Sequence, residues 1–231
     1  MNFQSLNKLF LDRAEENSNK PFLWAKINKE WKSLTWKETS EKVKEFSSGL
    51  RAHGIKPGDR VVIVSENRPE WIVADLAITM IGGITVPAYT TNTEDDHHYI
   101  LEHSGAKAVI TSNNILANRL ALATTRTKEC KLLITIDNYN GFEPEGLNII
   151  SYNEINNFGK NTIESSTDHL DKIQPDDTSC IIYTSGTGGR PKGVMLTHKN
   201  IYSNLLGAED LIEIIGKNNN KYLSLIPLSH S

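Results

Sequence analysis

Short apolar runs alternate with helical patterns as far as Ile136, and this alternation constrains the fold more than any other feature of the sequence. The apolar runs are typical of buried strands, and they are Val61–Val64, Ile84–Pro87, Ala108–Ile110 and Leu132–Ile136. The segments between them carry apolar residues at helical spacing. The pattern predicts an α/β fold built in layers, with helices packed against strands.

Local signals predict where several of these elements begin and end. The segment Trp24–Trp36 reads as a β-hairpin whose turn is Asn28-Lys29. Thr35 opens a capping-box pattern, and Thr93 is placed to cap a later helix that Gly105 ends. We predict that Asn67 caps the helix after the first buried strand, with a proline in its first turn.

A change in composition divides the chain. Residues 156–179 are rich in Asn, Ser, Thr and Asp, which predicts a long connection. We therefore predict a first α/β portion over residues 1–155 and a second portion that begins with a strand at Cys180 and continues to residue 231. A strand is also expected to begin at Tyr222–Leu225. The final residues resemble an opening loop, so we expect the fold to be incomplete at its C-terminus.

Charge and cysteine content exclude some classes of protein. The net charge of −3 lacks the basic excess of a nucleic-acid binder, and none is predicted as a partner. Cys130 and Cys180 give no disulfide framework, which favours the cytoplasm. No secretory signal begins the chain, and no apolar run approaches the roughly 18 residues of a membrane span. Peripheral contact with a membrane stays compatible with these features.

The run Tyr183–Gly193 has the composition of a loop that holds polyphosphate. It reads Tyr-Thr-Ser-Gly-Thr-Gly-Gly-Arg-Pro-Lys-Gly and follows a short apolar strand. Glycines allow backbone N–H groups to approach an anion, hydroxyls add neutral donors, and Lys192 adds a compact positive charge. We predict a phosphate site here.

Spacing excludes three familiar glycine motifs. In a Walker A loop a serine or threonine follows the Gly-Lys pair, whereas Lys192 lies between Pro191 and Gly193. The dinucleotide motif G-x-G-x-x-G fails because Pro191 occupies its last position. A nucleophile elbow needs glycine two residues before the serine, and Ser185 has Tyr183 there.

The loop resembles instead the signature of the adenylate-forming enzymes, Thr-Ser-Gly-Thr-Thr-Gly, one variable residue, then Pro-Lys-Gly. It matches at every position except Gly188, where the family usually has threonine. Other segments are similar to the long-chain acyl-CoA synthetase branch of this family, and they are Lys56–Val61, Ser65–Trp71, Val86–Thr93, Leu101–Lys107, Gly193–His198 and Ile226–Ser231. The resemblance covers nearly the whole chain.

This resemblance implies the N-terminal large domain of an adenylate-forming enzyme, with ATP and Mg²⁺ as cofactors and CoA as co-substrate. The residues it implies for phosphate binding are Thr184, Ser185, Gly186, Thr187, Gly188, Gly189 and Lys192. It implies Thr184 as a Mg²⁺ contact and His230 as a residue on the substrate side. Gly188 removes one hydroxyl, which costs about 1.5–3 kcal/mol of phosphate binding if nothing replaces it.

The resemblance also places the catalytic lysine, in a small C-terminal lid domain, beyond Ser231. The chain alone is therefore expected to be inactive as a long-chain fatty acid–CoA ligase. Two alternatives stay open: a ligase for another carboxylic acid, and a noncatalytic nucleotide-binding fragment. The expected partners are a fatty acid, ATP and CoA.

Other conspicuous residues receive plainer interpretations. The run Glu94–His98 could hold a metal, but it is better explained as an acidic first turn of a helix with solvated histidines. Cys180 is expected to be a small core residue, Arg190 a mobile loop charge, and the four tryptophans packing residues.

Overall fold

A computed structural model describes residues 5–161, 167–184, 189–208 and 221–230. The helices in these ranges are α1 Leu6–Glu16, α2 Trp36–Ala52, α3 Pro69–Met80, α4 Glu94–Ser104, α5 Asn114–Thr124, α6 Tyr152–Lys160 and α7 His198–Gly207. The strands are β1 Pro21–Ile27, β2 Glu30–Thr35, β3 Arg60–Val64, β4 Ile84–Pro87, β5 Ala108–Thr111, β6 Leu132–Thr135, β7 Asn148–Ser151, β8 Thr178–Thr184 and β9 Lys192–Thr197. Two short 3₁₀ turns cover Leu170–Lys172 and Leu228–His230.

The main sheet confirms the predicted α/β class. Among the described residues it has seven strands in the order β7-β6-β5-β3-β4-β8-β9. Every neighbouring pair is parallel except β8 and β9, which run antiparallel. Parallel neighbours need long crossover connections, and helices α3, α4 and α5 lie in the segments that join them.

Helices cover both faces of the inner strands of this sheet, which explains why those strands are continuously apolar. Val61 and Ile63 point into a core built with α1, α2, α3 and α6. Val62 and Val64 point the other way, into a core built with α4 and α5. Because neither face meets water, a strand such as β3 needs no polar alternation.

Reciprocal capping boxes open four helices in the described part of the chain. In each, a Ser or Thr side chain accepts from a backbone N–H three residues on, and the side chain there accepts from the cap's own N–H. The pairs are Thr35–Glu38, Thr93–Asp96, Ser151–Glu154 and Thr197–Asn200. The predictions for Thr35, Thr93 and the closing Gly105 are confirmed.

The N-terminal hairpin is also confirmed, with a two-residue turn. Asn28 and Lys29 have φ values of 51° and 70°, as a turn matched to twisted strands requires. The packing role predicted for its tryptophans is wrong, because Trp24 and Trp31 are 43% and 57% exposed. Trp36 instead stacks on a phenylalanine, and Trp71 is buried.

Two other local predictions are wrong. Arg68, not Asn67, is the N-cap of α3, and no side-chain bond caps this helix, although Pro69 opens it as expected. The segment Tyr222–Leu225 forms no strand, and Tyr222 is 88% exposed. Helix α7 is described from His198 to Gly207, and residues 209–220 lie outside the described ranges.

Strand β7 and helix α6 have no counterpart among the predicted elements. Helix α6 runs into the start of segment 156–179, so the first residues of the predicted connection are helical. It crosses α2 closely: a Cβ on Gly159 would lie 1.7 Å from the Glu45 carbonyl oxygen. Glycine permits this close approach, and Phe46 of α2 stacks on Tyr152 of α6 within the same contact.

None of the helices in the described ranges combines the length and the apolar character that crossing a bilayer requires.

Candidate phosphate-binding site

The predicted phosphate loop joins β8 to β9 at the carboxyl edge of the parallel strands. Strand β8 runs parallel to β4, with Cys180 opposite Thr85, and then pairs antiparallel with β9. The last pair of this hairpin is Thr184 with Lys192. Open α/β sheets bind ligands outside this edge, so the loop begins where a ligand is expected.

The structure describes three of the seven predicted phosphate residues. Thr184 and Lys192 are exposed at the root of the loop, and Lys192 makes no ion pair with any described residue. Gly189 has φ of 154°, and a Cβ there would meet nothing within 4 Å. Ser185, Gly186, Thr187 and Gly188 lie outside the described residues. A hydroxyl and an unpaired ammonium therefore share the loop root, which suits an anion.

Tyr183 fixes the strand just before the loop. Its side chain is buried, and Gly193 lies opposite it on β9. A Cβ on Gly193 would meet the Ile181 side chain at 2.8 Å and the Tyr183 ring at 3.4 Å. The glycine that ends the motif is thus a packing requirement of the β8–β9 hairpin.

Helix α4 contacts both sides of the loop. The Tyr183 hydroxyl lies 2.8 Å from His103 Nδ1, and the Tyr99 hydroxyl donates to the Pro191 carbonyl at 2.9 Å. The exposed Arg190 guanidinium lies over the Tyr99 ring, 5.3 Å from its centre. Tyr99 and His103 were missed from the sequence, although their spacing of four residues places them on one helix face.

The chemistry of nearby groups fits a binding site better than a nucleophile. Burial, and then the neighbouring Tyr99, raises the pKa of the Tyr183 phenol to about 12, so it stays protonated. Burial likewise raises the pKa of the Cys180 thiol to about 11, with Asp75 adding to the effect. A thiol with a raised pKa is a poor nucleophile, and half-buried Cys180 serves as a small residue of β8.

Asn67 has a long-range role that its position in the sequence does not reveal. Its Nδ2 donates to Ser224 Oγ at 2.9 Å and to the Ile226 carbonyl at 2.8 Å, and its Oδ1 accepts from the Leu228 N–H at 2.8 Å. These bonds bring the turn Leu228–His230 to the carboxyl edge, beside β4. The turn's backbone is described, but the side chain of His230, the predicted substrate-side residue, lies outside the described set.

The acidic run at the start of α4 is structural, as predicted. Asp96 completes the capping box with Thr93, while Glu94 and Asp95 pair with Arg126 at 3.1 and 2.8 Å. His97 is buried rather than solvated, which corrects one part of that prediction. Among the described residues, no cluster of three or more His, Cys, Asp or Glu side chains could hold a metal ion.

A family comparison decides the classification of the chain. A family model described as AMP-binding enzyme matches residues 10–231. The chain belongs to the AMP-binding enzyme family. This is the adenylate-forming ligase family whose glycine signature the loop resembles, and the match extends over nearly the whole chain.

Relatives within the AMP-binding family include long-chain acyl-CoA synthetases. The peroxisomal long chain acyl-CoA synthetase 7 of Arabidopsis thaliana is 29% identical over 239 residues, which covers 98% of this chain and 33% of that protein. The peroxisomal long chain acyl-CoA synthetase 6 of the same plant is 31% identical over 206 residues, covering 87% and 28%. The chain thus spans about a third of the length of these relatives.

A solved AMP-binding structure supports the fold. The fatty acyl-adenylate ligase from L. pneumophila, in complex with acyl adenylate and pyrophosphate, superposes with a TM-score of 0.68 at 25% identity. The match covers 91% of this chain and 33% of that one.

Proposed function

We propose that this chain supplies the phosphate-binding part of a long-chain fatty acid–CoA ligase that works through an acyl-adenylate. The observation that carries the proposal is that Thr184 lies opposite Lys192, which forms no ion pair with a described residue, at the root of a loop with the adenylate-forming signature. The two plant relatives, which are long-chain acyl-CoA synthetases by name, favour a fatty acid as the acid.

In the proposed first step, a carboxylate oxygen bonds to the α-phosphorus of ATP, and the bond to the pyrophosphate oxygen breaks. Negative charge builds on the departing pyrophosphate. The Lys192 ammonium and the Thr184 hydroxyl are donors suited to that charge, and donors held in place lower the barrier when they meet charge as it develops. Mg²⁺, when bound, would neutralise further phosphate charge, and Thr184 offers it one hydroxyl ligand.

The second step would transfer the acyl group to the thiol of CoA. Because the chain spans about a third of its relatives, we propose that it binds MgATP but forms no useful amount of acyl-CoA by itself. Peripheral contact with a membrane belongs to the same proposal, since long-chain fatty acids partition into bilayers.

Calorimetric titration of the chain with MgATP tests the phosphate role. Lys192→Ala is expected to weaken binding about 10-fold to 100-fold, because a hydrogen bond to a charged group contributes about 1.5–3 kcal/mol. Lys199→Ala removes the same charge from the exposed start of α7 and is the matched control. It should change affinity less than about twofold.

Equal losses in the two variants would reduce the site to general electrostatic attraction. No binding by the unmodified chain would refute the phosphate role outright. MgATP binding without acid-dependent release of pyrophosphate would favour the noncatalytic alternative for this chain. If pyrophosphate release occurs, a long-chain fatty acid compared with benzoate identifies the acid class.

A further inference from the structure

Two side chains of α4 reach the two sides of the phosphate loop. His103 contacts the residue that precedes Thr184, through the 2.8 Å approach of its Nδ1 to the Tyr183 hydroxyl. Tyr99 contacts the residue that precedes Lys192, through its 2.9 Å bond to the Pro191 carbonyl. One helix therefore touches each strand of the hairpin one residue before a predicted phosphate ligand.

The local geometry makes this pair of contacts specific. Tyr99 and His103 are four residues apart, so they project from the same face of α4. Their rings pack against the Tyr183 ring, with centres 6.1 and 5.7 Å away and nearly perpendicular planes. Gly193 leaves room for the Tyr183 ring on β9.

We propose that Tyr99 and His103 are positioning residues, which hold the ends of β8 and β9 at the separation at which Thr184 and Lys192 bind a polyphosphate. The proposal rests on the proposed function for its ligand, and on the hairpin geometry alone for its mechanical part. Neither side chain needs to touch the nucleotide, because each acts through the backbone of the next residue.

Two properties support a positioning role for these side chains. Arg190 also stacks on Tyr99, so this residue anchors a side chain and the Pro191 carbonyl of the loop's second side. The pKa of the Tyr183 hydroxyl is raised, so Tyr183 stays protonated across the physiological range. Ionisation of Tyr183 therefore does not change its contact with His103.

Four variants separate positioning from simple packing. Tyr99→Phe removes one hydroxyl and keeps the ring, so the stacking of Arg190 survives. His103→Leu removes the polar partner of Tyr183, and His103→Asn restores a polar atom near the position of Nδ1. Tyr139→Phe is the control. It removes a hydroxyl on the distant 137–142 segment, where Tyr139 bonds to the Phe142 carbonyl and to Asn118 of α5.

Affinity for MgATP, measured beside urea unfolding, is the first readout. Tyr99→Phe and His103→Leu should each weaken binding about fivefold, the effect of one lost hydrogen bond, and His103→Asn should recover most of the loss. Tyr139→Phe should lower stability without changing affinity. If Tyr99→Phe and His103→Leu lower stability and leave affinity unchanged, the two residues only pack, and the proposal is overturned.

Amide hydrogen exchange of the ligand-free chain is the second readout, and it needs no nucleotide. Tyr99→Phe and His103→Leu should speed exchange severalfold at the hydrogen-bonded amides beside the loop, among residues 183, 184, 192 and 193. Thr178 and Thr197, at the other end of the hairpin, should stay unchanged. Uniform exchange along the hairpin would overturn the mechanical claim, even in a chain that binds ATP.

The two readouts also distinguish this proposal from the proposed function. If the unmodified chain fails to bind MgATP but both variants loosen the loop end of the hairpin, the phosphate assignment fails and the anchoring by α4 stands. If MgATP binds and neither variant alters affinity or exchange, the anchoring fails and the phosphate assignment stands.

Discussion

The inner strands of the main sheet and its β8–β9 end differ in how much of their side-chain surface is buried. Residues of β5 and β6 are all buried, because helices cover the sheet on both faces. Strand β9 alternates irregularly between exposed and half-buried, and its Val194 and Met195 are 44% and 66% exposed. The comparison teaches that the stability of the described fold is concentrated at the covered inner strands β3–β6, whereas the candidate binding groups lie at β8–β9, where they are accessible to a ligand.

The largest expected effect comes from truncating a core residue that packs against the covered inner strands. Phe46 is fully buried and stacks on Tyr152, with ring centres 4.6 Å apart. Phe46→Ala should lower the free energy of unfolding by about 3–5 kcal/mol in urea titrations. Met195→Ala, on exposed β9, should change it by less than about 0.5 kcal/mol. Similar losses in the two variants would show that β9 is as firmly packed as the covered inner strands.

Protonation of His97, a buried residue of α4, should destabilise the fold in acid. Burial, and then nearby Arg119, lowers the pKa of this histidine to about 4, against 6.5 as the ordinary value. The folded chain therefore keeps His97 neutral, while the unfolded chain takes up a proton below pH 6.5. Stability should be complete above about pH 6.5 and fall by up to about 3 kcal/mol as the pH approaches 4.

The variant His97→Gln should lose this part of the pH dependence, as measured by urea unfolding from pH 7.5 to 4.5. His198 is buried beside β9, and its burial also lowers its pKa. The matched comparison is therefore His198→Gln. If His97→Gln keeps the full loss of stability in acid, other groups cause that loss. The burial of His97 then has no part in the pH dependence.

The smallest effect tests the contact between the loop after β3 and residues 224–228. Asn67→Ala removes the bonds to residues 224–228, and it should cost about 1–2 kcal/mol and speed amide exchange at Leu228. Helix α3 should be unaffected, because Asn67 does not cap it. Asn113→Ala is the control, since its Oδ1 caps α5 through the Leu116 N–H, and it should fray that helix instead. Fraying of α3 in Asn67→Ala would restore the cap assignment.

Features whose residues lie close together in the sequence were predictable from the sequence. The apolar run Val61–Val64 indicates a buried strand because every residue of it faces a helix-covered core. The capping boxes at Thr35 and Thr93 involve residues three positions apart, so they are visible without the fold. The phosphate loop was found in the same way, because its glycines, hydroxyls and lysine are contiguous.

Features that depend on distant residues were not predictable. Asn67 resembles a helix cap locally, but its amide bonds a segment nearly 160 positions away. Tyr99 and His103 look like ordinary helix residues until β8 and β9 are placed beside α4. Tyr222–Leu225 has strand composition, and no described strand pairs with it. Pairing partners, rather than composition, decided each of these cases.

The capping boxes give the helices unequal sensitivity to protons. Glu38, Asp96 and Glu154 are carboxylates whose pKa values are lowered by their bonds to Thr35, Thr93 and Ser151. Their support is present at neutral pH and disappears as the pH falls through those lowered values. Asn200 performs the same task for α7 with an amide that does not titrate. The cap of α7, which follows the candidate phosphate hairpin, therefore does not titrate, while the caps of α2, α4 and α6 are lost on protonation.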